Sequence, residues 1–146
     1  YDKGDEYTNL TVGWTSTALR SSEYSEVSAK APTITRNVDS IKATVSSGGG
    51  VFHCTEKIDL THFNTLTIRG TFTRSGTMSR NLMVGCWKQF GTRYYDDGDG
   101  IADAFTKMES SSATELVVDV SALSGLYIVG IGITDSTAVV TEAFLI

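Results

Sequence analysis

The chain is poor in charge. Asp, Glu, Lys and Arg make up 20% of its 146 residues, and the Arg and Lys are scattered singly. A protein that binds duplex nucleic acid needs a basic stripe to displace counterions from phosphates. With a formal net charge of −5 and no such stripe, nucleic acid is not an expected partner. Long apolar runs are missing as well. None approaches the roughly 18 residues that a membrane span requires, so membrane insertion is not expected. Cysteine is scarce, with only Cys54 and Cys86 present. Zinc would need a further ligand pair at short spacing, which His53 beside Cys54 does not supply. The two thiols either form a disulfide, if their strands are neighbours, or act as small buried core residues.

The constellations of catalysis are missing too. There is no Gly-x-Ser-x-Gly elbow and no His-Glu-x-x-His, and Gly48-Gly49-Gly50 is followed by neither a Lys nor a helix. His53 and Cys54 are adjacent, so on a strand they face opposite ways and do not pair as base and nucleophile. His62 reads as a loop residue. A glycosidase needs only two carboxylates, for which Asp97 or Asp103 with Glu109 or Glu115 are candidates. A sandwich glycosidase, however, needs more chain to build a long cleft. The chain reads as a non-enzyme.

Helical periodicity is nearly absent. What is present is short-range alternation of apolar and polar residues, the signature of strands. In Thr65 to Thr73, Leu66, Ile68 and Phe72 share one face while the threonines and Arg69 share the other. Thr33 to Thr35 and Ser40 to Val45 alternate likewise. Asn81 to Phe90 places Leu82, Val84, Cys86 and Phe90 together. Glu115 to Val120 and Leu126 to Thr134 are more continuously apolar, as for strands covered on both sides or lying at the middle of a sheet. Ala138 to Ile146 is a further strand. Turn-forming clusters separate them at Ser46 to Gly50, Arg74 to Gly76, Asp97 to Gly100 and Ser124-Gly125. Single helical turns are expected at Asp119 to Gly125 and at Ile101 to Met108. The predicted fold class is all-β, a two-sheet antiparallel β-sandwich, jelly-roll-like. Residues 1–146 read as one domain. Tyr1 is not an initiator methionine and no signal-type segment leads the chain, as for a domain excised from a longer protein.

Two phrases carry a family resemblance. Lys57 to Ile68, with Asp59-Leu60-Thr61 before a strand, resembles a step of jelly-roll carbohydrate-binding modules. Leu116 to Ile131 resembles a strand, bend and strand late in the same galactose-binding-like sandwiches, which close on a strand like Ala138 to Ile146. With its opening Tyr1 to Thr8, the chain also looks like modules in tail or surface proteins of phages of Gram-positive anaerobes. The resemblance implies a non-catalytic domain that binds a glycan on a cell surface, in an extracellular or virion-surface setting. A structural or oligomerising domain of a fibre or adhesin, a homo-oligomer (a trimer if from a fibre), shares every one of these fold-level features.

The segment Trp87 to Asp97 concentrates aromatics, bases and acids at the end of a predicted strand. Sugars stack an apolar face on aromatic rings while charged groups bond their hydroxyls. In that scheme Trp87, Tyr94 and Tyr95 are platforms and Arg93 and Asp97 hydroxyl readers, with Arg69 on a polar sheet face as a further contact. The opposing reading makes Trp87 plain core. Trp14 near the N-terminus is either a further platform or, the favoured reading, a buried plug, and Tyr24 reads as an exposed loop residue. Gly130 and Gly132 share one strand face and leave a bare floor, either a groove or a slot filled by a large neighbour such as Trp14 or Trp87. Asp97, Asp99 and Asp103, beside Asp96 and two glycines, resemble part of a calcium-binding aspartate loop. Tyr95 stands where an earlier Asp is expected and no bidentate Glu follows, so Ca²⁺ competes there with a solvated acidic turn.

Overall fold

Alternation becomes strand after strand in the computed structural model, which describes residues 13–19, 28–75, 81–95 and 101–146. The strands among them are β1 (Trp14–Ala18), β2 (Thr33–Arg36), β3 (Ile41–Cys54), β4 (Ile58–Asp59), β5 (Thr65–Arg74), β6 (Leu82–Trp87), β7 (Ala104–Lys107), β8 (Ser112–Asp119) and β9 (Leu126–Leu145). All pairings between these strands are antiparallel. One sheet runs β1-β3-β9-β6-β7 and the other β2-β3-β9-β5-β8. The predicted fold class is therefore the one observed.

The two sheets share β3 and β9. The C-terminal part of β3 and the N-terminal part of β9 lie in the first sheet, through pairs such as Val51↔Gly132, and their other parts lie in the second, through pairs such as Ala43↔Ala138. The passage from one sheet to the other falls where their register shifts, between Val45 and Gly49. Ser47 and Asp135 have left-handed φ values of 54° and 48°, uncommon for residues with a Cβ. The Gly48 amide donates to Asp135 Oδ1 at 3.3 Å and ties the two bends together. The turn expected at Ser46 to Gly50 is thus a bulge inside one strand, which re-aims it between layers.

The core lies between the sheets. Phe52, Val84 and Ile131 come from the first; Ile41, Ile68, Phe72 and Val140 come from the second. Each such side chain contributes about 1.5–3 kcal/mol on burial. Trp14 is the expected plug, buried and stacked on Phe52 with centroids 4.9 Å apart. Cys54 and Cys86 are free and buried. Cys86 pairs across from Val129, whose amide donates to Cys54 Sγ at 3.2 Å, so β9 runs between the two thiols. Two strand spacings put their Cα atoms about 9–10 Å apart, beyond the reach of a disulfide.

Three local expectations are corrected. Ile101 to Met108 holds strand β7 rather than a helical turn. Asp119 to Gly125 is a corner without helix, in which Asp119 Oδ1 accepts the Ser121 amide and hydroxyl at 2.9 and 2.6 Å. Glu115 to Val120 is neither covered on both sides nor at the middle of a sheet: Leu116 and Val118 are buried while Val117 is exposed, and β8 is an edge strand. Leu126 to Thr134 is covered on both sides over most of its length, as expected, since its sheet is covered on the outside as well. Tyr24 lies outside the described residues.

Candidate functional site

The outer face of the first sheet has little side chain of its own. Gly130 and Gly132 on β9 lie in register with Gly85 and Met83 on β6. The segment after β6 fills the space. Trp87 and Tyr94 are both fully buried there, with Leu19, Val51, Met83 and Ala102. Trp87 Nε1 donates to the Tyr94 carbonyl at 3.0 Å, and the Tyr94 hydroxyl lies 2.9 Å from Thr134 Oγ1. A Cβ on Gly132 would stand 2.1 Å from the Tyr94 ring. The glycine floor is therefore a filled slot, and Tyr94 occupies it.

Trp87 and Tyr94 are consequently not stacking platforms. Their rings have no solvent-facing side to offer a sugar, because the glycines beneath them admit the rings fully. A signal for this was present in β6, where all six residues from Leu82 to Trp87 are buried: with no polar residue at alternate positions, neither face is left for solvent. Phe90, expected in line with Leu82 and Val84, instead follows the end of β6. It packs edge-on against Trp87 and His53 with centroids 5.4 and 5.0 Å away.

Around this plug lies a rim of half-buried groups. Tyr95 meets Phe105 of β7 edge-on at 5.3 Å, and Lys107 Nζ stands 5.4 Å from the Tyr95 ring centre. Phe105 and Lys107 share the outer face because β7 pairs with β6 through Gly85↔Phe105 and Met83↔Lys107. Arg93 is half-buried on the same segment. Aromatic rings beside cations are the chemistry that grips a sugar, the ring face taking its C–H groups and the cation its hydroxyls. Phe105 and Lys107 escaped the sequence reading because their strand read as a helical turn; simple alternation in Ala104 to Lys107 pairs them.

His53 borders the rim. Its Nδ1–H donates to the Cys54 carbonyl at 2.8 Å, which leaves Nε2 to accept the Thr17 hydroxyl at 2.7 Å. That pattern belongs to the neutral imidazole. Burial pushes the His53 pKa below its ordinary value, against the opposing effect of the Cys54 carbonyl. Cys54, facing inward, has its thiol pKa raised by burial, and burial pushes Cys86 up to about 12. Neither thiol is poised as a nucleophile.

Of the remaining expected site residues, Arg69 does not join this rim. Arg69 lies on the outer face of the other sheet, exposed. It bonds Glu115 at 2.7 Å and Glu142 at 3.3 Å and covers the Phe144 ring at 4.9 Å. These two carboxylates raise its pKa, Glu115 most. Asp97 and Asp99 lie outside the described residues. Asp103 is exposed and accepts the Lys88 amide at 2.8 Å, which ties the residue after β6 to the residue before β7. Among the described residues no group of three His, Cys, Asp or Glu is placed to hold a metal ion.

No family model and no curated protein matches the chain. Among solved structures it is similar to CBM86, a low-affinity xylan-binding module from the gut symbiont Roseburia intestinalis. That likeness has a TM-score of 0.57 and 13% identity over 98% of this chain and 96% of that one. A second similar structure is the xylan-binding module CBM15, with a TM-score of 0.49 and 14% identity over 97% and 95% of the two chains. At 13% identity the likeness to CBM86 is one of fold, and it extends over nearly the whole of both chains.

Proposed function

We propose that this domain is a non-catalytic recognition module for carbohydrate, and that its contact surface is the rim on the outer face of the first sheet. The observation that carries the reading is the convergence of Tyr95, Phe105 and Lys107 on one edge of that face, half-buried, with Tyr95 meeting both of the others. Such rings are held in place before a ligand arrives, which limits the entropy lost on binding. The whole-chain likeness in fold to a module that binds xylan supports the same class of ligand. A cell-surface glycan, met by one domain of an extracellular or phage tail protein, fits this reading. A shallow rim of this kind implies a Kd near the millimolar range, or about −4 kcal/mol. Several copies in one homo-oligomer would then raise the effective affinity.

The test is affinity electrophoresis of the chain through gels containing neutral xylan and other soluble glycans. Retardation by one glycan class is expected, with Tyr95→Ala and Lys107→Met each weakening it about tenfold while the thermal midpoint stays within a few degrees. Unretarded migration through every polymer, by a chain shown to be folded, would overturn the proposal and favour an oligomerising role.

A further inference from the structure

The outer face of the second sheet is built differently from the rim. Strand pairing brings Thr33, Thr44, Thr137, Thr73 and Ser112 into one rank across β2, β3, β9, β5 and β8. The Thr44 and Thr137 hydroxyls lie 2.7 Å apart. The strand spacing of about 4.8 Å sets the period of this hydroxyl rank. At its β2 end the rank runs into a cleft of about 190 Å³, lined by Lys30, Ala31, Thr33, Thr44, Val45 and Ser46.

Lys30 is positioned by backbone. Its amide donates to the Gly49 carbonyl at 2.7 Å, and its Nζ donates to the Ser46 carbonyl at 3.2 Å. A carbonyl takes one of three ammonium donors and leaves the charge intact. Lys42 stands exposed on the same face, two residues before Thr44 on β3 and about 7 Å along the strand. The cleft thus brings together a cation and the hydroxyl-bearing Thr33, Thr44 and Ser46, with a second cation beside it, on a chain whose net charge is −5. Of the carboxylates of this face, Glu115 and Glu142 are already bound to Arg69, and Asp119 accepts from Ser121.

We infer that this cleft and the hydroxyl rank form a second carbohydrate site, selective for a sugar bearing a carboxylate. Lys30 takes the carboxylate, Thr33 and Thr44 bond the neighbouring hydroxyls, and the polymer continues over the rank toward Thr137 and Thr73. The inference depends on the proposed function for the class of ligand only. Its surface is the opposite one from the Tyr95 rim, and the two are separable by mutation.

The experiment compares the folded chain on polygalacturonate and on the same polymer fully methyl-esterified, with neutral xylan as a third arm. The expected result is at least tenfold tighter binding to the free acid, weakening as salt is raised. Lys30→Met, which keeps the aliphatic stem, should remove that preference, and Lys42→Met should weaken it several-fold. Tyr95→Ala should leave it intact. Thermal melts of each variant establish that it is folded. Equal binding to the acid and its ester, or a preference that survives Lys30→Met, overturns the inference. If xylan binding is lost in Tyr95→Ala while no acid preference exists, the rim stands and the cleft fails. If the acid is bound through Lys30 while xylan is not bound, the cleft stands and the rim fails. No binding in any arm overturns both.

Discussion

At the scale of single residues, the decisive contacts are those of Tyr94 with Gly132 and of Trp87 with its neighbours. A methyl group at Gly132 has no room beside the Tyr94 ring. Gly132→Ala should therefore cost about 1–3 kcal/mol in chemical denaturation through overpacking. In a Tyr94→Ala background the same change should cost far less, and a double-mutant cycle measures that coupling. Trp87→Ala should cost about 3–5 kcal/mol, because the ring is fully enclosed and leaves a cavity. His53 adds a pH dependence. Its folded pKa lies below the ordinary 6.5, so between those two values the unfolded state binds more protons. Stability should be full above pH 6.5 and fall as the pH drops toward the folded value, with His53→Gln flattening that slope. Sequence composition pointed to the right segment but not to the direction of its rings. Whether Tyr94 faces solvent or sheet depends on Gly132, more than 30 positions away, which the local pattern does not contain; the glycine against the Trp87 ring is Gly85, in its own strand.

At the scale of elements, the phrases that carried the family resemblance prove to be corners. Asp59 Oδ1 accepts the Thr61 amide and hydroxyl, as Asp119 Oδ1 does for Ser121. The Thr61 hydroxyl in turn lies 2.8 Å from the Gly125 amide, which it accepts. Between the paired residues, Leu60 and Val120 point into the core with no exposure. Both Asp pKa values are lowered, by the Thr61 and Ser121 hydroxyls first. Their contribution is therefore present above the ordinary carboxylate pKa and lost as the pH falls through the lower folded values. Strands were legible wherever one face meets solvent, as in β5, where period-two alternation marks the core side. They were misread where a strand bends between sheets, at Ser46 to Gly50, because the glycines that permit a bulge are also those of a turn. The cysteines give an element-level test. With β9 between them, both should resist a thiol reagent in the native protein and both should react in denaturant. Added reductant should leave the unfolding midpoint unchanged.

At the scale of the whole molecule, the all-β class and the sandwich were legible because they follow from patterns repeated along the chain. Which outer face serves as a site was not, because that depends on what lies over each sheet. One outer face is roofed by Phe90, Tyr94, Tyr95 and Ala102, whereas the other keeps its threonines and its Arg69 cluster open. The shared strands have a kinetic consequence. β9 supplies the neighbour of β3, β5 and β6, yet it follows all of them in the chain. Pairing β3 with β9 closes a loop of dozens of residues, and such non-local contacts are slow to form. During synthesis, β5 and β6 emerge with their apolar faces unmatched, and neither sheet closes until β9 has left the ribosome. Nascent chains stalled before Leu126 should therefore remain protease-sensitive along their whole length. Chains released past Leu145 should become resistant in a single step.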